Sequence, residues 1–504
     1  MLIFNAIIMI KNIKTYLIFA LTISLVYSCD EFVDVQPTAE NSEDYFNTEQ
    51  DYQKALIGAY DLLQSTYLNV MLGEIASDNT LSGGESATDV PGIQEVDDMI
   101  HTPVNAQLRD IWSWMYAGVN RANYILEFKD KTDFAGKNEI LAQATFLRAY
   151  YYFELVKWFG DVPLAVDKRI QFGEQFNIDR TPKADVYAQI ELDLIYAAEN
   201  LPYVQSEPGR VTKGAAQALL GKAYLYQNKF NEAAVVLDDL IAKGPYDLLT
   251  DYNLIFEEAG ENNIESVFEV QYFDGQGAGF GCLQCSEGNV AVGFSGVRAY
   301  TAIPDSAGDI FTSGFSFNVP VKEVVDAFQV GDLRKNVAIL DIEAWATATG
   351  ITYGTGYEHT GYFNRKYIPR KRSSNAQGDR NLTNPNNYRA IRFADVLLMA
   401  AEANNRKPSP DDNKARTYLN RVRERAFGNA LNNISSSGTT LTENILQERR
   451  VELVGEGHRF FDLVRTGKAA QEINGFVAGK HELFPIPAIE IQLAGGRWSQ
   501  NPNY

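Results

Sequence analysis

Cysteine and histidine are scarce in this chain, with three Cys and four His among 504 residues. His101, His359, His458 and His481 are scattered without metal-ligand spacing, and no second C-x-x-C completes a zinc set. Basic charge is also short: 45 Lys and Arg stand against 65 Asp and Glu, for a net charge of −20. Phosphate binding needs a basic footprint, so nucleic acid is not an expected partner. One basic run, 365–372 (RKYIPRKR), interrupts this and reads as a solvated strand pair or rim. It leaves open whether a ligand is neutral or anionic. Missing too is an apolar run that would span a bilayer comfortably, because the stretch 16–27 is short for that.

What is present at the start is a targeting segment. Lys11 and Lys14 precede the apolar run, and Met9 is an alternative start to Met1. Residues 26–29 (VYSC) resemble the lipobox of bacterial lipoproteins, with an aliphatic residue at −3 and a small one at −1. Cleavage after Ser28 would make Cys29 a lipidated first residue, an anchor rather than a span. Asp30 and Glu31 follow and resemble a surface-export signal of Bacteroidetes-type envelopes. The alternative is an ordinary signal peptide cut elsewhere, with Cys29 incidental. Cys282 and Cys285 then remain as an even pair in an oxidising compartment. A disulfide is the favoured reading, two free thiols the next, and metal binding the last.

Aromatics are plentiful at 12%, which suits large helix–helix cores or surfaces that stack on flat ligands. Helical periodicity begins at Thr48 and runs through Ala55, Leu56, Ala59 and Leu63. The polar stretch 73–105 reads as one long loop. Strong helices follow at 106–129, 137–159 and 183–200, the last opened by Thr181-Pro182. Residues 212–243 (TKGAAQALLGKAYLYQNKFNEAAVVLDDLIAK) resemble a tetratricopeptide helix pair. From 265 to 388 the pattern turns Gly-, Thr- and aromatic-rich without sustained helical period, starting with the strand-like SVFEVQYF at 266–273. Helix returns at 389–404 and 413–425.

The stretch 448–467 (ERRVELVGEGHRFFDLVRTG) is the densest in charge and aromatics. Thr440 and Glu443 suggest a capping box upstream, and Arg459, Asp462 and Arg465 recur at i, i+3 as a charge ladder. It reads as a buried, salt-laced helix pair holding parts of the fold together. With it stand FLRAYYYFELVKWFGDVPL at 146–164, GRVTKGAAQALLGKAYLY at 209–226, RAIRFADVLLMAAEA at 389–403, YLNRVRERA at 418–426 and the closing LFPIP and QNPNY. In that order behind a lipobox, the set resembles the SusD/RagB family of outer-membrane nutrient-binding lipoproteins. The resemblance implies a mainly α fold of tetratricopeptide-like helix pairs, with an irregular, loop-rich ligand-binding part containing short strands. It also implies a SusC-like TonB-dependent β-barrel as partner, over which the protein sits as a lid, and an oligosaccharide as ligand. The expected division is a signal peptide at 1–28, helical regions at 29–265 and 389–504, and the ligand-binding part at 266–388.

A sugar site needs flat aromatic faces and planar amide, carboxylate or guanidinium groups. Trp345 is the leading platform, with Tyr353, Tyr357, Tyr300, Phe280, Phe311 and Tyr272 as further aromatics outside helical stripes. Asp78, Asn79, Glu85 and Asp89 are the expected hydroxyl partners. Trp112, Trp114 and Trp158 lie on helices and are expected in the core. The run 275–281 (GQGAGFG) lacks the helix and acid of a dinucleotide loop. No cofactor is expected, and calcium is open but without an EF-hand loop. Cell-surface glycan capture leads as the function, with peptide capture and a surface glycosidase as rivals.

Overall fold

The computed structural model describes residues 44–171, 173–275, 279–372 and 377–504. The leader, Cys29 and the middle of the 275–281 glycine run lie outside the described residues. The fold is mainly α. Its principal helices are α1 (Glu49–Asp61), α2 (Tyr67–Ile75), α3 (Ala106–Glu127), α4 (Lys137–Phe159), α5 (Lys183–Asn200), α6 (Lys213–Tyr226), α7 (Phe230–Lys243), α8 (Phe393–Arg406), α9 (Asp412–Phe427), α10 (Gly438–Glu452) and α11 (Arg459–Arg465).

Local chemistry starts these helices. Thr48 and Asp51 form a reciprocal capping box on α1, and the Thr212 hydroxyl accepts from Ala215 N at 3.1 Å on α6. Packing then runs along the chain, each helix from α3 to α9 lying against the next, with α10 also against α8. The α6–α7 pair is the tetratricopeptide-like unit. A Cβ on Gly221 would sit 2.4 Å from Leu237, so only glycine lets these two helices approach so closely. In α4 the run Tyr150–Tyr152 is wholly buried, and its hydroxyls find carbonyls: Tyr151 donates to Ala59 O at 2.7 Å and Tyr152 to Ala165 O at 3.1 Å.

Among the described residues eight short strands form four antiparallel pairs: β1 (Thr80–Gly83) with β5 (Phe317–Pro320), β2 (Val162–Pro163) with β3 (Arg180–Thr181), β4 (Ser266–Val270) with β8 (Tyr388–Arg392), and β6 (Ile339–Asp341) with β7 (Tyr362–Asn364). The expected loop at 73–105 is corrected, because it contains β1 and a short helix, Pro91–Asp97. Its few apolar residues, Leu81, Ile93 and Val96, were enough because β5 and α3 supply the rest of the packing. The main core is helical, and a second small core lies under the irregular region around Val297, Phe311, Ile342 and Phe363.

A buried ion network ties the C-terminal helices to the strands. Glu452 of α10 accepts from Arg392 (2.8 Å), Arg425 (2.7 Å) and Arg334 (2.8 Å). Burial alone would raise its carboxyl, yet Arg425, Arg392 and Arg334 outweigh burial and hold it well below the usual range. Lys366 is fully buried and paired with Glu456 at 2.6 Å; burial pushes it down to about 8. His458 contacts Lys222 Nζ at 3.2 Å, and burial, then Lys222, push it down to about 3. The charge ladder is corrected in part. Asp462 does bridge to Arg465 at 2.7 Å, but its other oxygen takes Arg449 at 2.9 Å, while Arg459 leaves the ladder for Asp78. Thr440 lies inside α10, whose N-cap is Ser437, so it is not a cap.

Candidate functional site

One open groove of about 360 Å³ combines aromatic faces with amides. Helix α3 builds its first wall. Asn105 caps the helix, accepting from Leu108 N at 3.0 Å, and the 3.6-residue period brings Gln107, Asp110 and Trp114 to one face. Tyr67 of α2 stands beside Trp114, with ring centroids 6.0 Å apart. The opposite wall is Phe294, on the short helix Val290–Ser295, and the 279–285 loop with Phe280 and Leu283. Cys282 and Cys285 are joined in a disulfide within that loop. Among the described residues no Lys or Arg lines this groove. Burial raises the Asp110 carboxyl, and neighbouring Arg109 opposes this.

The aromatic surface continues past the groove. Phe280, 61% exposed, meets Phe315 at 5.5 Å, Phe315 meets Phe294 at 5.8 Å, and Phe294 meets Phe317 of β5 at 5.2 Å. Arg298 sits on this rim. It donates to Phe315 O at 3.1 Å and pairs with Glu85 (3.4 Å) and Asp89 (3.5 Å). Asp89 also fixes the turn by accepting from Glu85 N at 2.8 Å. The turn needs glycine: Gly83 has φ +71°, and a Cβ there would stand 2.2 Å from Ser316 O. Tyr357, 37% exposed, is held next to it by its N–H to Gly84 O at 2.9 Å.

Trp345, Tyr300, Phe311 and Tyr353 are brought together in the irregular region. Trp345 lies half-buried on the short helix Ile342–Thr349 and donates from Nε1 to the Tyr300 hydroxyl at 2.9 Å. Tyr300 in turn donates to Gly308 O at 2.6 Å, and Phe311 lies 5.9 Å from the indole. Tyr300 and Phe311 are buried, so the expectation that they are ligand platforms is corrected: they back Trp345 and carry its weight from behind. Arg370 stacks on Phe311 at 5.3 Å. Tyr353 packs on the same small core and faces His359 at 5.8 Å.

Asp78 and Asn79 are corrected as hydroxyl partners, since both are committed inside the protein. Asp78 takes Arg459 at 2.7 Å and Arg450 at 2.9 Å, and Asn79 is wholly buried between Glu74 (3.1 Å) and Arg450 (2.8 Å). Tyr272 is buried too, its hydroxyl donating to Gln64 O. The basic run 365–372 is likewise no open rim. Lys366 serves Glu456, Arg370 serves Glu257 at 3.0 Å, Lys371 serves Asp309 at 2.5 Å, and Arg372 lies 3.6 Å from Asp274. Trp112 and Trp158 are core, but Trp114 is half-buried and faces the groove. Sequence reasoning missed Trp114, Tyr67, Phe294, Phe315 and Arg298. The available signal for Trp114 was its spacing: two residues after buried Trp112, it points to the other side of the helix. Among the described residues no group of three or more His, Cys, Asp or Glu side chains is placed to hold a metal.

Comparison with known proteins completes the picture. A model described as the SusD family matches residues 342–483, and one described as starch-binding associating with outer membrane matches residues 31–225. A "SusD-like protein P2" of Formosa agariphila is 28% identical and aligns over 92% of this chain and 94% of its own. A solved laminarin-binding SusD-like protein is 36% identical with a TM-score of 0.82, over 91% of this chain and 100% of that one. Surface glycan-binding protein A from Bacteroides thetaiotaomicron, solved with laminarihexaose, is 28% identical with a TM-score of 0.79, over 90% of this chain and all of its own.

Proposed function

The chain belongs to the SusD family, and from that premise we propose that it captures a neutral glucan of the laminarin type at the cell surface, without cleaving it. The observation that carries this is the groove of Trp114, Tyr67, Phe294 and Phe280. Pyranose rings present apolar C–H faces, which flat aromatic walls match, while Gln107, Gln284 and Asp110 supply groups for hydroxyls. Arg298, Glu85, Asp89 and Tyr357 extend the surface along the rim, and Trp345 with Tyr353 forms an outer platform for a longer chain. A neutral ligand is favoured because the nearby cations are already paired.

The carboxylates support capture without cleavage. Glycoside hydrolysis uses a pair of acids across the scissile bond, and among the described residues Asp110 is the one acid lining the groove. Delivery is the second half of the proposal. A lipid on Cys29 would hold the protein at the outer membrane, where it closes over a SusC-like TonB-dependent barrel and passes the oligosaccharide inward. Support comes from family membership and from the lipobox-like 26–29 segment.

Calorimetry with laminarin oligosaccharides, beside starch and uronic-acid chains, tests the ligand. Micromolar to millimolar binding of the first alone is expected. Failure to bind any glycan, or reducing ends that accumulate with time, would overturn capture. Cys29→Ala should release the protein from membranes, and a large barrel should co-purify with the native protein.

A further inference from the structure

Ser82, at the end of β1, contributes one hydroxyl hydrogen that two acceptors claim. Its Oγ lies 2.6 Å from Gln94 Oε1 and 2.8 Å from Glu358 Oε2. The Gln94 amide is oriented by its other end, since Nε2 donates to Gly83 O at 2.7 Å, so Oε1 can only accept. One hydrogen cannot fill both contacts; the second needs a hydrogen on Glu358. Asp97 closes the group from the helix Pro91–Asp97, accepting from Ser82 N at 2.7 Å. Glu358 also accepts from Gly83 N at 3.2 Å and is held at φ +53°, a strained conformation that its contacts must maintain.

We propose that Ser82, Asp97 and Glu358 form a one-proton clasp that positions the Tyr357 loop against the glycan groove, so that glycan affinity falls when the proton leaves. The clasp rests on the glycan reading above for its ligand, but not for its chemistry. Its place in the fold gives it leverage. Residues 354–357 lie on the groove rim, with Gly354 N on Arg298 O at 2.8 Å and Tyr357 N on Gly84 O. With the proton present, Glu358 donates to Ser82 and Ser82 to Gln94, and the loop is tied to β1. Without it, two carboxylates face each other through Ser82 and Glu358 is pushed out, carrying Tyr357 with it.

The surrounding charges favour keeping the proton. Asp97 meets Glu358 across Ser82 and Asp98 on its own helix, all carboxylates. The Tyr357 phenol faces the same group, and Glu358, then burial, Asp98 and Asp97, push it up. Among the described residues no Lys, Arg or His forms an ion pair with Asp97, Asp98 or Glu358. Burial, with Glu358 adding to it, pushes the Asp97 carboxyl up to about 7. The proton belongs to the pair rather than to one residue.

Two measurements on the full chain test this. Calorimetry with laminarihexaose from pH 5.5 to 8.5 should show wild-type affinity falling about fivefold across neutrality, while Asp97→Asn/Glu358→Gln holds one value throughout. Parallel profiles for the two proteins would overturn the clasp. Thermal melting over the same range needs no glycan. The wild type binds the extra proton only when folded, so it loses stability as pH rises through about 7, and the double variant should gain about 3 °C on it between the two ends. If laminarihexaose binds at no pH, the glycan reading falls, and the melting difference alone decides the clasp. Should the double variant not fold, Glu358→Gln alone must reduce the slope, and an unchanged slope rejects the proposal.

Discussion

The scaffold and the groove use the same residue types to opposite ends. In the C-terminal helices charge is buried and consumed: Glu452 satisfies three arginines, Lys366 serves Glu456, and Asp78 reaches from the N-terminal half to Arg459 and Arg450. At the groove, aromatic faces and amides are left half-open, with Trp114 and Phe280 facing solvent across the gap. The difference teaches where to look for ligand chemistry. Paired density marks structure here, and incomplete packing marks the proposed ligand surface.

The largest effect expected from breaking this contrast lies on the scaffold side. Glu452→Gln removes a charge that Arg334, Arg392 and Arg425 share, leaving buried guanidinium groups short of a partner. Loss of a buried partner costs about 3–5 kcal/mol, to be read by denaturant unfolding. The pH dependence has a definite sign. The folded carboxyl lies below its ordinary value of 4.5, so its stabilisation is present above that value and is lost as pH falls through the folded one. In the variant this portion of the acid sensitivity should vanish. Glycan affinity of the folded fraction should not change, and a large change there would erase the division between scaffold and groove.

Trp114→Ala is the converse experiment. Truncating a central aromatic of a binding groove costs about ten- to a hundredfold in affinity. Because the ring is half-open, stability should fall by less than about 1.5 kcal/mol. A variant that loses well over this stability while its folded fraction binds normally would return Trp114 to the core. A smaller effect is expected from Cys282→Ser/Cys285→Ser. So short a closed loop adds about 2 kcal/mol at most to global stability, but it shapes the wall bearing Phe280 and Leu283. Affinity should drop severalfold while the melting temperature barely moves, and equal affinity with and without the bond would show that the wall holds its shape unaided.

How much of this was legible follows from the reach of each interaction. The helices could be read because their signals are local: the Thr48 and Thr212 caps, the apolar period of α1, and the Leu-Leu-Gly-Lys-Ala-Tyr pattern of α6. The mainly α fold followed from those same runs, and the family from the longer motifs at 146–164, 209–226, 389–403, 418–426 and 448–467. One partner of Asp78, by contrast, lies 381 positions away at Arg459, and no spacing rule announces such a pair. Asp78 and Asn79 therefore looked available when they were not. Trp114 failed in the opposite way. A helix says that one face is buried, but which face depends on what the 279–285 loop leaves uncovered. The basic run 365–372 shows both limits, since its exposed look dissolves once Glu456, Glu257 and Asp309 are in place.

Trp345→Ala should give the smallest change of the series, and it is the sharpest test of where the binding surface ends. Its indole N–H is already spent on Tyr300, and its inner edge rests on Phe311, so only the outer face is free for a sugar. Removing it leaves the Tyr300 hydroxyl its bond to Gly308 O, so the small core persists. The expected loss for a hexasaccharide is about two- to threefold, which is a rim contact rather than an anchor. On the proposed binding mode, with Trp345 as an outer platform, longer laminarin chains should feel the change more than short ones. Equal losses at every chain length would place Trp345 inside the primary site. A loss matching that of Trp114→Ala would move the centre of binding onto the irregular lobe, with the groove demoted to its extension. Trp345→Phe separates the two contributions: it keeps the stacking face and gives up the bond to Tyr300, so unchanged affinity together with lowered stability assigns the indole N–H to the fold and the ring face to the ligand.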